Sequence, residues 1–169
     1  MTEKLDAQAA GQEALQWVIF KLGPEEYGVV ATQIQEISMY SVITHVPSMP
    51  KFVKGVVNLR GRIVPILDLK ERFEIVGGEG LASARRIVVA LFGDQLIGLI
   101  VDAILGVVRI PPEAIEPVPP TLPKMDAEYL LGVGKLSERL IVLLNLDRML
   151  DDMEKRMLKD SRVGDKAAK

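Results

Sequence analysis

Residues 52–73 read Phe-Val-Lys-Gly-Val-Val-Asn-Leu-Arg-Gly-Arg-Ile-Val-Pro-Ile-Leu-Asp-Leu-Lys-Glu-Arg-Phe, two apolar runs joined by a short polar link. Val56, Val57 and Leu59 lead up to Arg60-Gly61, and Ile63, Val64, Ile66 and Leu67 lead away from it. Apolar, β-branched runs on either side of a glycine-containing link predict two paired strands. Pro65 has no N–H to give a ladder, so it marks the second strand as an edge or the site of a bulge. Asp68 stands where the N-cap of a helical turn over 69–73 belongs. Arg60 is the unusual residue. A long cation at the tip of an apolar hairpin is presented rather than packed, because burying an unpaired guanidinium is costly.

Working outward, residues 15–22 read as a buried strand, turned at Gly23-Pro24-Glu25-Glu26 into a second strand over 27–31. Thr32 and Gln35 have the spacing of a capping box, so a short helical turn is expected there before a strand over 36–40. Val46-Pro47-Ser48-Met49-Pro50 is a rigid, extended link to the central hairpin. Gly77-Gly78-Glu79-Gly80 and Ser83 form an exposed loop between two halves.

The second half repeats the first. Residues 22–37 align without gaps on 92–107, an offset of 70 that places Gly23 on Gly93, Gly28 on Gly98, Ile34 on Ile104 and Glu36 on Gly106. Residues 55–69 align on 132–146, an offset of 77 that places Gly55 on Gly132, Arg62 on Arg139 and Leu67 on Leu144. Val46-Pro47 and Pro50-Lys51 are echoed by Val118-Pro119 and Pro123-Lys124. Two ungapped blocks in matching order indicate duplication of one supersecondary unit. The predicted fold is mostly β. It consists of two small five-stranded barrels of the SH3 or OB kind, related by a pseudo-two-fold, with short helices and a C-terminal amphipathic helix. The expected divisions are a flexible segment 1–14, a first barrel 15–82, a second barrel 83–145 with exchange of strands between the two allowed, a helix 146–158 and a disordered tail 159–169. Two barrels side by side leave a crevice, a common place for binding. At the hairpin tip Arg60 aligns on Ser137, so the halves share their apolar frame and differ outside it.

In the C-terminal helix Leu146, Met149, Leu150, Met153, Met157 and Leu158 recur at spacings of three and four, with Asn145 as cap. This stripe is read first as cover for a strand edge of its own protein. A partner-binding helix with adaptable methionines is the alternative.

Bulk properties narrow the function classes. The 169 residues are 49% hydrophobic and 26% charged but only 5% aromatic, so Val, Ile and Leu must build the cores. A formal net charge of −2 offers nucleic acid or an anionic membrane no basic stripe. The absence of cysteine excludes disulfides and thiolate metal sites and fits a reducing cytoplasm. Neither a signal peptide nor a membrane span is expected, since no apolar run exceeds strand length. His45 is the sole histidine, so no metal site and no cofactor are expected. No nucleophile elbow surrounds any serine. Gly132-Val133-Gly134-Lys135 fails as a phosphate loop, because Leu136 replaces the Ser/Thr and Tyr129 the first glycine. Asp68 and Asp102 are read as turn caps rather than an acid/base pair. An enzyme is not expected, and a binding module remains.

The segment Asn58-Leu59-Arg60-Gly61-Arg62-Ile63-Val64-Pro65-Ile66-Leu67-Asp68-Leu69 closely resembles the central motif of the CheW family, the adaptors that couple chemoreceptors to the histidine kinase CheA. The resemblance extends through Glu26-Tyr27-Gly28, Ile34-Gln35-Glu36-Ile37, Gly98-Leu99-Ile100-Val101-Asp102 and Tyr129-Leu130-Leu131-Gly132, and so covers about residues 15–150. It implies a non-enzymatic cytoplasmic adaptor, recruited to membrane-associated receptor arrays, with two partners. One is the signalling tip of a chemoreceptor, a helical hairpin. The other is the regulatory domain of CheA, a similar double barrel, for which the sequence nominates no contact residue. For the receptor, the resemblance implies Ile34, Glu36, Arg60, Gly98, Ile104 and Val107. Ile34, Ile104 and Val107 would line an apolar groove, Glu36 and Arg60 would add charge pairing that fixes register, and Gly98 would admit a close backbone or spare a bulge. The alternatives are an adaptor of a non-flagellar chemosensory pathway and, from another class, a β-barrel nucleic-acid binder. The latter would need exposed aromatics on a basic face.

Overall fold

The computed structural model describes residues 15–78, 80–118, 129–151, 153 and 155. In chain order the strands are β1 (Leu15–Leu22), β2 (Glu25–Val30), β3 (Ile34–Met39), β4 (Val53–Leu59), β5 (Arg62–Asp68), β6 (Arg86–Phe92), β7 (Gln95–Val101), β8 (Ala103–Ile110), β9 (Ile115–Glu116), β10 (Leu130–Leu136) and β11 (Arg139–Leu144). Helix α1 (Leu69–Phe73) follows β5, and helix α2 opens at Leu146. The expected segments 1–14 and 159–169, Pro119, Pro123-Lys124, Met157 and Leu158 lie outside the described residues.

The strands form a six-stranded sheet ordered β8-β1-β2-β11-β10-β9 and a five-stranded sheet ordered β3-β6-β7-β5-β4. Each sheet therefore combines a hairpin from one half of the chain with later strands from the other. β2 receives β11 in parallel, with Gly28 opposite Leu143. β7 receives β5 in parallel, with Gly98 opposite Ile66. These two junctions are equivalent under the repeat, since the offsets carry Gly28 to Gly98 and Ile66 to Leu143. The repeat also shows in the backbone. Gly23 and Gly93 both adopt φ near +60° in their hairpin turns, and the tip residues Arg60 and Ser137 have φ +53° and +55°. Gly55 and Gly132 bulge their strands at matching places. A Cβ on Gly55 would lie 2.0 Å from Thr44 O, and one on Gly132 2.6 Å from Glu116 O.

Neither sheet closes into a barrel, so the expectation of two five-stranded barrels is corrected to two open, pseudo-symmetric sheets. Closure of the five-stranded sheet would need β3 to pair with β4. After Met39 the chain leaves the ladder and meets β4 at the single bridge Thr44–Val56; beyond it Pro47 and Pro50 have no N–H to continue a ladder. In the six-stranded sheet β9 contributes only Ile115 and Glu116 against β10. Pro65 also departs from its reading as an edge marker, because β5 lies between β7 and β4. Proline is tolerated there because parallel pairing to β7 begins one residue later, at Ile66. The turn at Ala31–Gln33 is 3₁₀, and its N-cap, Val30, makes no side-chain hydrogen bond, so the capping box does not form. Asp68 does cap α1, accepting from Lys70 N at 2.9 Å and Glu71 N at 3.3 Å.

Alternation along the strands divides the core in three. Trp17 and Ile19 pack with Val30, Ile110, Ile141 and Leu143 inside the six-stranded sheet. Ile87 and Val89 pack with Val57, Val64, Ile66, Leu96 and Ile100 inside the five-stranded one. The alternate residues of the same strands, Val18, Phe20 and Leu22 with Val88 and Ala90, point into a larger core between the sheets. Leu146, Met149, Leu150 and Met153 of α2 are buried in that shared core, so α2 covers its own protein. Four of the eight aromatic residues run through it in a column. Phe20 stacks on Tyr27 at 6.3 Å, Tyr27 on Phe73 at 6.5 Å, and Phe73 lies tilted on Tyr129 at 6.4 Å. Aromatics committed to a core cannot serve as a stacking platform for bases.

Burial, and to a lesser degree the Glu25 carboxylate, pushes the Tyr27 hydroxyl from 10.0 up to about 12. The folded state thus holds this proton more tightly than the unfolded chain. The associated stability is intact below the usual tyrosine pKa and is lost as pH rises from there through about 12. Urea midpoints of wild type and Tyr27→Phe should run parallel up to about pH 9.5. Above that wild type should fall more steeply; equal slopes would show that Tyr27 is not held in its neutral form.

Candidate functional site

Arg60-Gly61 forms a two-residue hairpin link with φ +53° and +84°, the left-handed pattern of a type I′ turn. Asn58 Oδ1 accepts the Gly61 N–H at 2.8 Å and closes the turn. A non-glycine residue in this conformation costs roughly 1–2 kcal/mol. The Arg60 side chain is 79% exposed, and its guanidinium donates to the carboxylate of Glu36, 24 residues earlier on β3. Surface pairs of this kind contribute about 0–1 kcal/mol. The pair therefore does not offset the backbone cost, and Arg60 is not placed at the tip for stability.

Ile34 and Ile104, equivalent under the repeat, open the outer strands β3 and β8. Both are half-buried against the margin of the shared core. Val107 lies farther along β8 and is 54% exposed. Sequence reasoning missed Ile37, at 41% exposure on β3, although the offset of 70 already paired it with Val107. It also missed Leu105, Met39 and Val42, all exposed on or just beyond these two strands. Apolar character alone does not tell an exposed strand residue from a core one. Gly98 is not at the surface. It is buried mid-strand in β7, and a Cβ there would lie 2.5 Å from Ile66 Cδ1 and 2.8 Å from Ile87 Cγ2. Its small size makes room for the protein's own core. Of the six residues, the structure brings Glu36 and Arg60 into contact, packs Ile34 and Ile104 partly buried against the shared core from two different sheets, exposes Val107 and buries Gly98.

The two aspartates considered for chemistry are engaged elsewhere. Asp68 caps α1. Asp102 Oδ2 accepts the Gly23 N–H at 2.7 Å and sits 3.3 Å from Lys70 Nζ, tying the first hairpin of one sheet to α1 and the end of β7 in the other. A cavity of about 620 Å³ between α1, the 74–85 loop and β7 is lined by both aspartates, Lys70, Glu71, Glu74 and Arg85. His45 is exposed. No cluster of three or more metal-ligating side chains occurs among the described residues, and none of the described helices is long and apolar enough to cross a membrane.

The profile of the CheW-like domain matches residues 16–154. The chain is 39% identical over 153 residues to the chemotaxis protein CheW of Klebsiella aerogenes, covering 89% of each chain. It is 34% identical to that of Helicobacter pylori, covering 85% of this chain and 86% of the relative. With Protein FrzA of Myxococcus xanthus the identity is 33%, over 90% of this chain and 94% of the relative. The crystal structure of the scaffolding protein TtCheW from Thermoanaerobacter tengcongensis superposes with a TM-score of 0.72 at 36% identity, covering 79% of this chain and 85% of that one.

The burial of Gly98 separates folding from binding. Gly98→Ala should lower the unfolding free energy by about 1–3 kcal/mol, the usual cost of overpacking a core, as read from urea denaturation. An unchanged midpoint would mean that Ile66 and Ile87 yield freely.

Proposed function

The chain belongs to the CheW family of non-enzymatic adaptors that couple chemoreceptors to the histidine kinase CheA, and from that premise we propose where its receptor partner docks. The cytoplasmic signalling tip of a chemoreceptor lies along the exposed apolar residues of β3 and β8 and against the first hairpin tip. Ile34 and Ile104 form the floor of that surface, Val107 its flank, and Glu36 with Arg60 its charged end. Gly98 supports the surface from beneath, by letting Ile66 and Ile87 close over it. The regulatory domain of CheA occupies a different face. The protein works in the cytoplasm, recruited to receptor arrays at the membrane.

The observation that carries this reading is Arg60 itself, a largely exposed guanidinium held in a costly left-handed conformation beside Glu36. An amphipathic helix seats an apolar ridge in an apolar groove, and a charge at the groove's end selects its register.

Arg60→Glu should shift the unfolding free energy by less than about 1 kcal/mol, as an exposed substitution does. It should weaken binding of a receptor-tip fragment about tenfold or more, as expected when like charges are placed at an interface. Calorimetric titration of the variant against the CheA regulatory domain should match wild type. Unfolding of the variant would make Arg60 structural, and loss of both partners would merge the two proposed faces. Failure of wild type to bind the CheA domain would favour an adaptor of another pathway.

A further inference from the structure

The two second hairpins differ in one charge relation. On the six-stranded sheet Arg139 Nε and Nη2 both donate to Glu26 Oε1, at 3.1 and 2.7 Å, across the parallel junction of β2 and β11. The offsets carry Arg139 to Arg62 and Glu26 to Leu96. In the five-stranded sheet the arginine is thus present and its acid is gone, replaced by a buried leucine. Arg62 is exposed at the start of β5, and its side chain has no hydrogen bond or ion pair among the described residues. Ile63, the next residue of the strand, is 67% exposed on the opposite face of the sheet. Arg60, two residues away, holds the nearby carboxylate of Glu36. The tip therefore presents two guanidinium groups against one carboxylate.

An arginine whose internal partner has been removed does nothing for its own fold that a neutral residue would not do. We propose that Arg62 is a specificity-determining contact, pairing with a carboxylate on the acidic flank of the partner helix that docks at Arg60. This rests on the reading of the first hairpin tip as the receptor-facing end. The chemistry selected is a helix carrying an Asp or Glu about one turn from the residue that meets Arg60. A neutral or basic flank would leave the guanidinium facing either no charge or a like one.

The test is fluorescence anisotropy of the full chain with a labelled receptor-tip fragment at low and moderate salt. Arg62→Gln should weaken binding about three- to fivefold at low salt, the range of a single rim ion pair. It should also flatten the salt dependence, because one screened pair has been removed. Arg62→Lys should recover much of the loss. Arg139→Gln, whose guanidinium is already engaged by Glu26, should bind as wild type. Wild-type affinity and salt dependence in Arg62→Gln, with binding lost in Arg60→Glu, would overturn the assignment of Arg62 and leave the receptor-facing surface standing. Equal losses in Arg62→Gln and Arg139→Gln would point to damage to the fold and overturn it too. If wild type fails to bind the fragment, the receptor-facing reading falls and this inference with it.

Discussion

The apolar core between the two sheets holds the rest of the structure in place. Val18, Phe20 and Leu22 of β1 and Val88, Ala90, Leu99 and Val101 of β6 and β7 meet in it, although they sit in different sheets and come from different halves of the chain. Truncating one large member, such as Phe20 to Ala, would cost about 3–5 kcal/mol. The exposed ion pairs contribute about 0–1 kcal/mol each, so packing rather than charge fixes how the sheets face each other. Each sheet also encloses its own smaller core, which leaves its central strands buried on both faces. Only the outer strands, the hairpin tips and the loops remain for partners. An adaptor needs that division, because a partner must bind without unpacking what it binds to.

Duplication explains how one fold gains different surfaces. The internal positions of the two repeats are held alike: Gly28 and Gly98 make room for aliphatic side chains of the incoming parallel strand, and Gly55 and Gly132 let another backbone pass close by. At the periphery the repeats diverge. Arg60 aligns on Ser137, Glu36 aligns on Gly106, and the Glu26 that engages Arg139 is replaced by Leu96 in the other half. Substitutions outside the cores cost little stability, so the charge relations at the tips could change while the frame did not.

Much of this was legible in the sequence. The central hairpin, the Asp68 cap and the duplication follow from local chemistry: alternating β-branched residues, a short side-chain acceptor ahead of a helix, and two constant offsets. Exchange of strands between the halves was allowed for, but which strands change places was not legible, because pairing between distant strands such as β2 and β11 leaves no local signal beyond buried, two-sided strands. The open sheets were misjudged for a related reason, since closure depends on what β3 does after Met39. At the candidate site, Glu36 and Arg60 were read as charges for a partner, and the structure pairs them with each other. Gly98 was misplaced because a glycine that admits a partner and one that admits a core isoleucine look alike in sequence. Ile37 shows the converse, as an exposed aliphatic on an outer strand carries the same pattern as a buried one.

We propose that receptor and kinase bind separate faces of the chain at once. Sedimentation velocity of a mixture of receptor-tip fragment, full chain and CheA regulatory domain addresses it most directly. The account predicts a single faster boundary containing all three components, absent when the chain is omitted. Displacement of the receptor fragment by the CheA domain, with no three-component boundary at any ratio, would show that the two partners share one face and would contradict it.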